Sequence, residues 1–411
     1  MPPAFLPLFS AWAGPRSPSL LFIGEAFGAG EASLRQPLAG TSGKEHWRML
    51  GQAFPDIWPE EHARVTDLHK FDLAWVRDRE PWLAEIGAAF TNVLNRRPSQ
   101  ESNDISALCL TRDQLPKDYP YPPLRTSPKH LYLSPDYFPE LDRLEEEIRQ
   151  SKPNLIVAMG NTAAWALLQT TAISSIRGTT TLSIPRFGPR KVLPTLHPAT
   201  VVYEGGFSHR PIIVADYMKA ARESKFPEIR RPRRQILVSP TLEEVVEWAS
   251  RTIENPPPLL ACDTETSLGM IDTIGFASSI GGSNHADALV CMVGPHRVKI
   301  GSSFHYIYPV RDGKEMKSYF SYSEELEFWN QVDRLLSSPI PKVFQNGMYD
   351  LQYLLRMGFR PNNVIEDTML AHHALFPEMQ KGLGFLGSIY TDESSWKLMR
   401  KHRADTEKRD E

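Results

Sequence analysis

Short apolar runs ending in glycine recur along the first half of the chain. Leu20-Leu21-Phe22-Ile23 stops at Gly24, and Leu155-Ile156-Val157-Ala158-Met159 stops at Gly160. Unbroken runs of this length suit strands buried on both faces, as in a parallel sheet. Before the second run, Leu141, Leu144 and Ile148 fall at helical spacing in an acidic stretch that stops at Pro153. After it, Asn161 is placed to cap a helix from Thr162 to Gln169. Strand, glycine and helix in repetition predict a parallel sheet with helices on both faces.

The texture changes after Arg222. Arg230, Arg231, Arg233 and Arg234 form a basic cluster that reads as a solvated linker. Ile236-Leu237-Val238 reads as a strand, and Thr241 with Glu244 has capping-box spacing before a helix through Trp248. Leu259-Leu260-Ala261-Cys262-Asp263 reads as a strand ending in acid, with Ile274-Gly275-Phe276-Ala277 and His305-Tyr306-Ile307-Tyr308 as expected neighbours. A helix from Ser323 to about Leu336 and a strand at Lys342-Val343-Phe344 complete the order. The tail after Trp396 is mostly charge.

Composition narrows the class. The chain has 411 residues, 41% hydrophobic and 23% charged, with a formal net charge of -3. This is globular composition and excludes a collagen, a coiled coil and a disordered tail protein. The near balance of charge allows a basic groove offset by acid elsewhere. The three cysteines, Cys109, Cys262 and Cys291, are scattered, which argues against a disulfide framework or a zinc ribbon and for reduced thiols. No long apolar run predicts a membrane span, and no secretory signal is visible at Met1-Pro2-Pro3-Ala4-Phe5, so a cytoplasmic location is expected.

Four elements carry candidate chemistry: Gly24-Glu25-Ala26-Phe27-Gly28 with Glu31; Pro37-Leu38-Ala39-Gly40; Thr91-Asn92-Val93 with Arg96, Arg97 and Pro98; and Leu196-His197-Pro198-Ala199. In an open parallel sheet such loops share the edge where ligands bind. A dinucleotide fingerprint is the competing reading of Gly28 and Gly30. It wants a third glycine where Ser33 stands, and Glu25, Glu31 and Glu45 would repel a pyrophosphate.

In order and spacing, over roughly residues 18–220, these elements resemble the uracil-DNA glycosylase superfamily, most closely its iron–sulfur branch. The resemblance implies a three-layer α/β/α domain that flips a base out of DNA and hydrolyses its N-glycosidic bond. Glu25 would stabilise positive charge on the sugar and orient water, with Glu31 as a second carboxylate or a helix-start residue. His197 would donate to the oxyanion of the departing base. Asn92 matches the amide edge of uracil, with one acceptor and one donor. Gly24, Phe27 and Leu38 would line the base pocket, and Arg96 and Arg97 would hold phosphates. Leu38 stands where the branch has a stacking phenylalanine, which leaves the preferred base open among uracil, hypoxanthine and xanthine. The branch's cluster cysteines are absent, with Asn95 at one of their positions, so no iron–sulfur cluster is expected.

A second constellation follows. Asp263-Thr264-Glu265 and, later, Asn346-Gly347-Met348-Tyr349-Asp350 bring carboxylates to strand ends, where hard cations such as Mg2+ or Mn2+ bind. With Asp367-Thr368-Met369-Leu370-Ala371-His372-His373 and Gly382-Leu383-Gly384-Phe385-Leu386, they resemble the DEDD 3'-5' exonuclease domain of phage-type family A DNA polymerases, over roughly residues 235–397. The resemblance implies a ribonuclease H-like fold and a metal site at Asp263, Glu265 and Asp350. The third motif is missing: Tyr390 is followed by Ser394 where an aspartate belongs.

The expected organisation is a glycosylase-like domain at 1–222, a basic linker at 223–235 and an incomplete exonuclease domain at 236–411. DNA is the expected partner, a downstream polymerase domain the second, and host cytoplasm the location if the gene is a phage's. The alternative to a glycosylase is a DNA-binding module that has lost catalysis, at the front of such a polymerase.

Overall fold

In the computed structural model the described residues are 11–34, 36–57, 80–126, 128–203, 205–231, 233–279 and 285–391. They divide into two compact units. The first comprises residues up to Ile229 together with the segment from Gly384, and the second runs from Arg230 to Leu383.

The sheet of the first unit contains β1 (Leu20–Ala26), β2 (Ala88–Leu94), β3 (Leu155–Met159), β4 (Thr181–Leu182) and β5 (Lys191–Thr195), in the order β2-β1-β3-β5-β4. All its pairings are parallel except that of the short edge strand β4. Every residue of β2, β3 and β5 is buried, which is why these strands read as continuous rather than alternating apolar runs.

Among the helices that flank the sheet are α1 (Ala29–Leu34), α2 (Thr41–Ala53), α3 (Phe138–Ser151), α4 (Gly160–Leu168) and α5 (Arg210–Glu223). Phe22, Phe90, Val157 and Leu193 pack with Trp47 and Leu50 of α2 and Ile213 and Tyr217 of α5. Leu21, Ile23, Ile156 and Val192 point the other way, toward Leu144 and Ile148 of α3 and Trp165 of α4. The unit is therefore the three-layer sandwich expected. Asn161 is not the cap of α4. The helix already starts at Gly160, whose φ of +85° turns the chain directly out of β3, and Asn161 Oδ1 instead accepts from the Ile173 amide at 3.2 Å.

The second unit contains β6 (Arg233–Val238), β7 (Leu260–Ser267), β8 (Met270–Ser279), β9 (His285–Met292), β10 (His296–Ile300), β11 (Ser303–Ile307), β12 (Lys342–Phe344) and β13 (Val364–Asp367). Six of these form one mixed sheet in the order β13-β12-β7-β8-β9-β6, and β10 with β11 forms a separate antiparallel ribbon. Helices α6 (Leu242–Glu254), α7 (Tyr322–Ser337), α8 (Gly347–Arg356) and α9 (Thr368–Leu375) follow or separate these strands. Thr241 does cap α6 in a capping box with Glu244.

Two expectations are corrected here. The strand at Leu260 continues to Ser267, so Asp263 and Glu265 lie in mid-strand rather than at its end. The His305 segment pairs with β10, not with the main sheet. Cys262, Ile274, Phe276 and Leu289 turn toward Trp248 of α6 and Phe328, Val332 and Leu335 of α7. The opposite face of the sheet opens on a cleft of about 460 Å3 lined by Ala261, Asp263, Glu265, Gly275, Val290 and Thr368, among others.

The last described helix, α10 (Leu383–Tyr390), rejoins the first unit from Gly384 on. Arg177 Nη1 donates to Ser388 Oγ at 2.8 Å, and Lys219 Nζ donates to the carbonyls of Ser388 at 2.8 Å and Thr391 at 2.7 Å. Asp216 accepts from Arg177 Nε at 3.0 Å and from Thr195 Oγ1 at 2.7 Å. Ser394 and the charged tail lie outside the described residues.

Candidate functional site

Parallel strands deliver their carboxyl ends to one edge, and the first unit gathers its polar side chains there. Gly24 and Glu25 lie near the end of β1, Asn92 near the end of β2, Gly160 to Thr162 follow β3, and His197 follows β5. Gly24 pairs with Asn92 in the β1–β2 ladder. A Cβ at position 24 would come within 2.4 Å of Asn92 Oδ1, so only glycine leaves room for that amide. A Cβ at Gly160 would come within 2.9 Å of the Cβ of His197, which makes this glycine the residue that lets the His197 loop close over β3.

His197 lies in surroundings that favour the neutral ring. Burial lowers its pKa below the usual imidazole range, and the nearby Glu25 carboxylate opposes that shift only in part. The Ala199 amide donates to Nδ1 at 3.2 Å. That nitrogen is therefore the acceptor, and the hydrogen-bond network assigns the proton to Nε2. Glu25 is oriented by Thr162, whose hydroxyl donates to Oε2. Asn92 is buried, and its Nδ2 has no hydrogen-bond partner. A buried donor left unpaired costs about 1–3 kcal/mol, so the position calls for an incoming acceptor.

The backbone beneath Asn92 is fixed by a network that the sequence reading missed. Arg143, on α3, donates through Nη2 to the carbonyls of Asn92 at 2.7 Å and Val93 at 2.9 Å. Its Nε meets Glu140 at 2.9 Å and its Nη1 meets Glu147 at 2.7 Å, while Thr91 Oγ1 donates to Glu147 at 2.8 Å. Asn95, after an amide flip, accepts from Arg143 Nη1 at 3.1 Å. The signal was present in the sequence: Arg143 and Glu147 are an i,i+4 pair interleaved with the apolar stripe Leu141, Leu144 and Ile148.

Other candidates fall elsewhere. Glu31 engages both its oxygens with the backbone, accepting from Gly28 N at 2.7 Å and Leu38 N at 2.9 Å. It lies in the first turn of α1 and holds the loop together, the second of its two expected roles, while burial raises its pKa. Leu38 is 3% exposed, packs in the core beside Trp47 and adopts a left-handed φ of +60°. The Phe27 amide donates to Arg96 O at 3.1 Å, tying the first loop to the third. Arg96 sits over the Tyr137 ring at 4.9 Å with its Nε unpaired, and Arg97 Nε donates to Asn103 at 3.0 Å.

His46 was also missed. It is fully buried on α2, in edge contact with Phe22 and 2.8 Å from the Tyr217 hydroxyl. Burial, with a smaller contribution from His197, lowers its pKa to about 3. The unfolded chain takes up a proton at this residue below about pH 6.5, whereas the folded chain stays neutral until about 3. Its contribution to stability is thus fully present above pH 6.5 and is lost progressively as pH falls through that window. His46→Phe is expected to flatten the decline in urea midpoint between neutral and mildly acidic pH; an unchanged slope would remove His46 from that role.

In the second unit, Asp263 and Glu265 face the open cleft from alternate positions of β7. Asp350 is buried, its Oδ1 accepting from Thr264 N at 2.8 Å and Thr264 Oγ1 at 2.7 Å, and burial raises its pKa. Among the described residues no three histidine, cysteine or carboxylate side chains are grouped to hold a metal ion. Asp350 is taken up by Thr264, and the expected metal set is not gathered among the described residues.

Two family models match this chain. One describes the uracil DNA glycosylase superfamily and covers residues 11–216, half of the chain; the other describes a 3'-5' exonuclease and covers residues 310–407. The second includes Asn346 to Asp350 and α10 but begins after Asp263 and Glu265. No curated protein matches the chain. No described helix is long and apolar enough to cross a membrane.

Proposed function

We propose that this chain, which belongs to the uracil DNA glycosylase superfamily, hydrolyses the N-glycosidic bond of uracil or another deaminated base in DNA. Its two matched families act on DNA and are hydrolases, so DNA is the substrate at both ends of the chain. The observation that carries the reading is the buried, unpaired Nδ2 of Asn92 at the strand edge that also holds Glu25 and His197. A carbonyl oxygen of a flipped base would satisfy that donor. As the bond to the sugar breaks, the base leaves with the electron pair. His197 Nε2–H donates a hydrogen bond to the oxygen where that charge gathers. Glu25, oriented by Thr162, stabilises the cationic sugar and accepts a proton from the water that adds to it.

The assay that tests this is base release by the full chain from single-stranded oligonucleotides carrying uracil, hypoxanthine or xanthine. Because His197 acts as a neutral donor, release is expected to stay level as pH falls from 8 to about 6, the region where an ordinary histidine would gain charge. A fall through that range would assign His197 a different protonation state. One observation favours the second reading, a DNA-binding module without catalysis: Leu38 packs into the core and offers no aromatic face to a base. Tight oligonucleotide binding with no base release from any substrate would establish it.

A further inference from the structure

The β10–β11 ribbon carries chemistry that neither module's proposed reaction uses. Arg297 pairs across the ribbon with Tyr306, and Lys299 with Phe304. Side chains alternate along a strand, so these four share one face. Phe304 is 57% and Tyr306 44% exposed. The Arg297 guanidinium lies 4.6 Å from the Phe304 ring centre, the Lys299 ammonium 6.0 Å from it, and the Tyr308 ring 6.3 Å from that of Tyr306. Neither cation has a carboxylate partner among the described residues.

The ribbon is anchored at its base. His296 Nδ1 sits 3.0 Å and 3.1 Å from the two oxygens of Asp272, and the Arg297 amide donates to Ser267 Oγ at 3.0 Å. Ser267 ends β7, the strand that presents Asp263 and Glu265 to the cleft. Ser267 lies two steps along the strand from Glu265, about 7 Å at the usual rise. The ribbon is thus tethered to a strand that lines the cleft, within one unit.

We infer that this face is a stacking platform for single-stranded DNA that leads toward the cleft. Aromatic faces stack on unpaired bases of any sequence, and interleaved cations neutralise the phosphates between them. A ladder that merely stiffened the ribbon would need neither the two unpaired cations nor two large rings left in water. The ribbon precedes the segment matched to the exonuclease family, and the inference stands whether or not the amino-terminal unit releases bases.

The test is fluorescence anisotropy of the full chain with a labelled oligothymidine about a dozen nucleotides long, in chelator, a length within the usual range of such sites. Phe304→Ala with Tyr306→Ala is expected to weaken binding at least about 10-fold. Arg297→Gln with Lys299→Gln is expected to reduce the slope of log affinity against log salt by about 1.4, for two phosphates on a single strand. A duplex of the same length is expected to bind more weakly. Unchanged affinity in the ring-less chain, or equal affinity for the duplex, would overturn the proposal, the latter leaving a simple charge patch or a site for an acidic protein. If the ring-less chain melts early, Phe304→Trp with Tyr306→Trp decides, since a stacking site binds at least as tightly and a weaker complex refutes it.

Discussion

Substituting His197→Ala is expected to slow uracil release by about 10²- to 10³-fold, the usual effect of removing one pre-oriented donor to a developing oxyanion. Glu25→Gln, which keeps the shape and removes the charge, is expected to cost about 10²- to 10⁴-fold. Both losses should appear in kcat with little change in KM. The base carries no negative charge in the ground state, so interactions with that charge are made only as the bond breaks. The double substitution should cost less than the product of the two, because the residues act on the same charge separation. Single-turnover release from a uracil oligonucleotide measures all three. If either single variant retained parental rates, that residue would lose its assigned role.

The largest expected effect on stability is at Asp216. It is fully buried, bonded to Arg177 and Thr195, and Arg177 in turn holds Ser388. Asp216→Ala leaves the Arg177 cation without its carboxylate in a site closed to water. Breaking a buried ion pair from one side costs about 3–5 kcal/mol. Thr195 lies two residues before His197 and loses its partner at the same time. The variant should therefore lose hydrogen-exchange protection across β5 and α5 while the second unit's main sheet keeps its own. Undiminished protection in β5 would show that Arg177 finds another acceptor. Asp216→Asn, which retains an acceptor for Thr195, should fall between the two.

The parallel sheet was legible because β1 and β3 are buried on both faces and leave unbroken apolar runs. That Glu25, Asn92 and His197 gather at one strand edge was legible for a related reason. Each follows or ends such a run, and parallel strands bring their carboxyl ends to one edge. Thr162 and His46 were not, because what marks them is a partner distant in sequence, Glu25 and Tyr217; Arg143 left a trace in its spacing to Glu147, but its bonds to the Asn92 and Val93 carbonyls left none. Asn161 was misjudged because a capping residue and a glycine at positive φ predict helix starts one residue apart, and the backbone took the glycine. Glu31 looked catalytic because a carboxylate in a polar loop has the same letters whether it meets substrate or two backbone amides. In the second unit, the alternation of exposed and buried positions in β7 placed Asp263 and Glu265 on one face, but nothing in the spacing foretold that Asp350 would be occupied by Thr264.

The route of the chain bears on any attempt to divide it. A fragment stopped at the basic cluster near Arg230 would contain every residue of the proposed base pocket. It would still lack the carbonyls of Ser388 and Thr391 that receive the buried ammonium of Lys219, and the hydroxyl that receives Arg177. Such a piece is a sandwich with one of its own layers incomplete, so poor solubility or lost activity in it would speak of the missing helix and not of the chemistry at the strand edge.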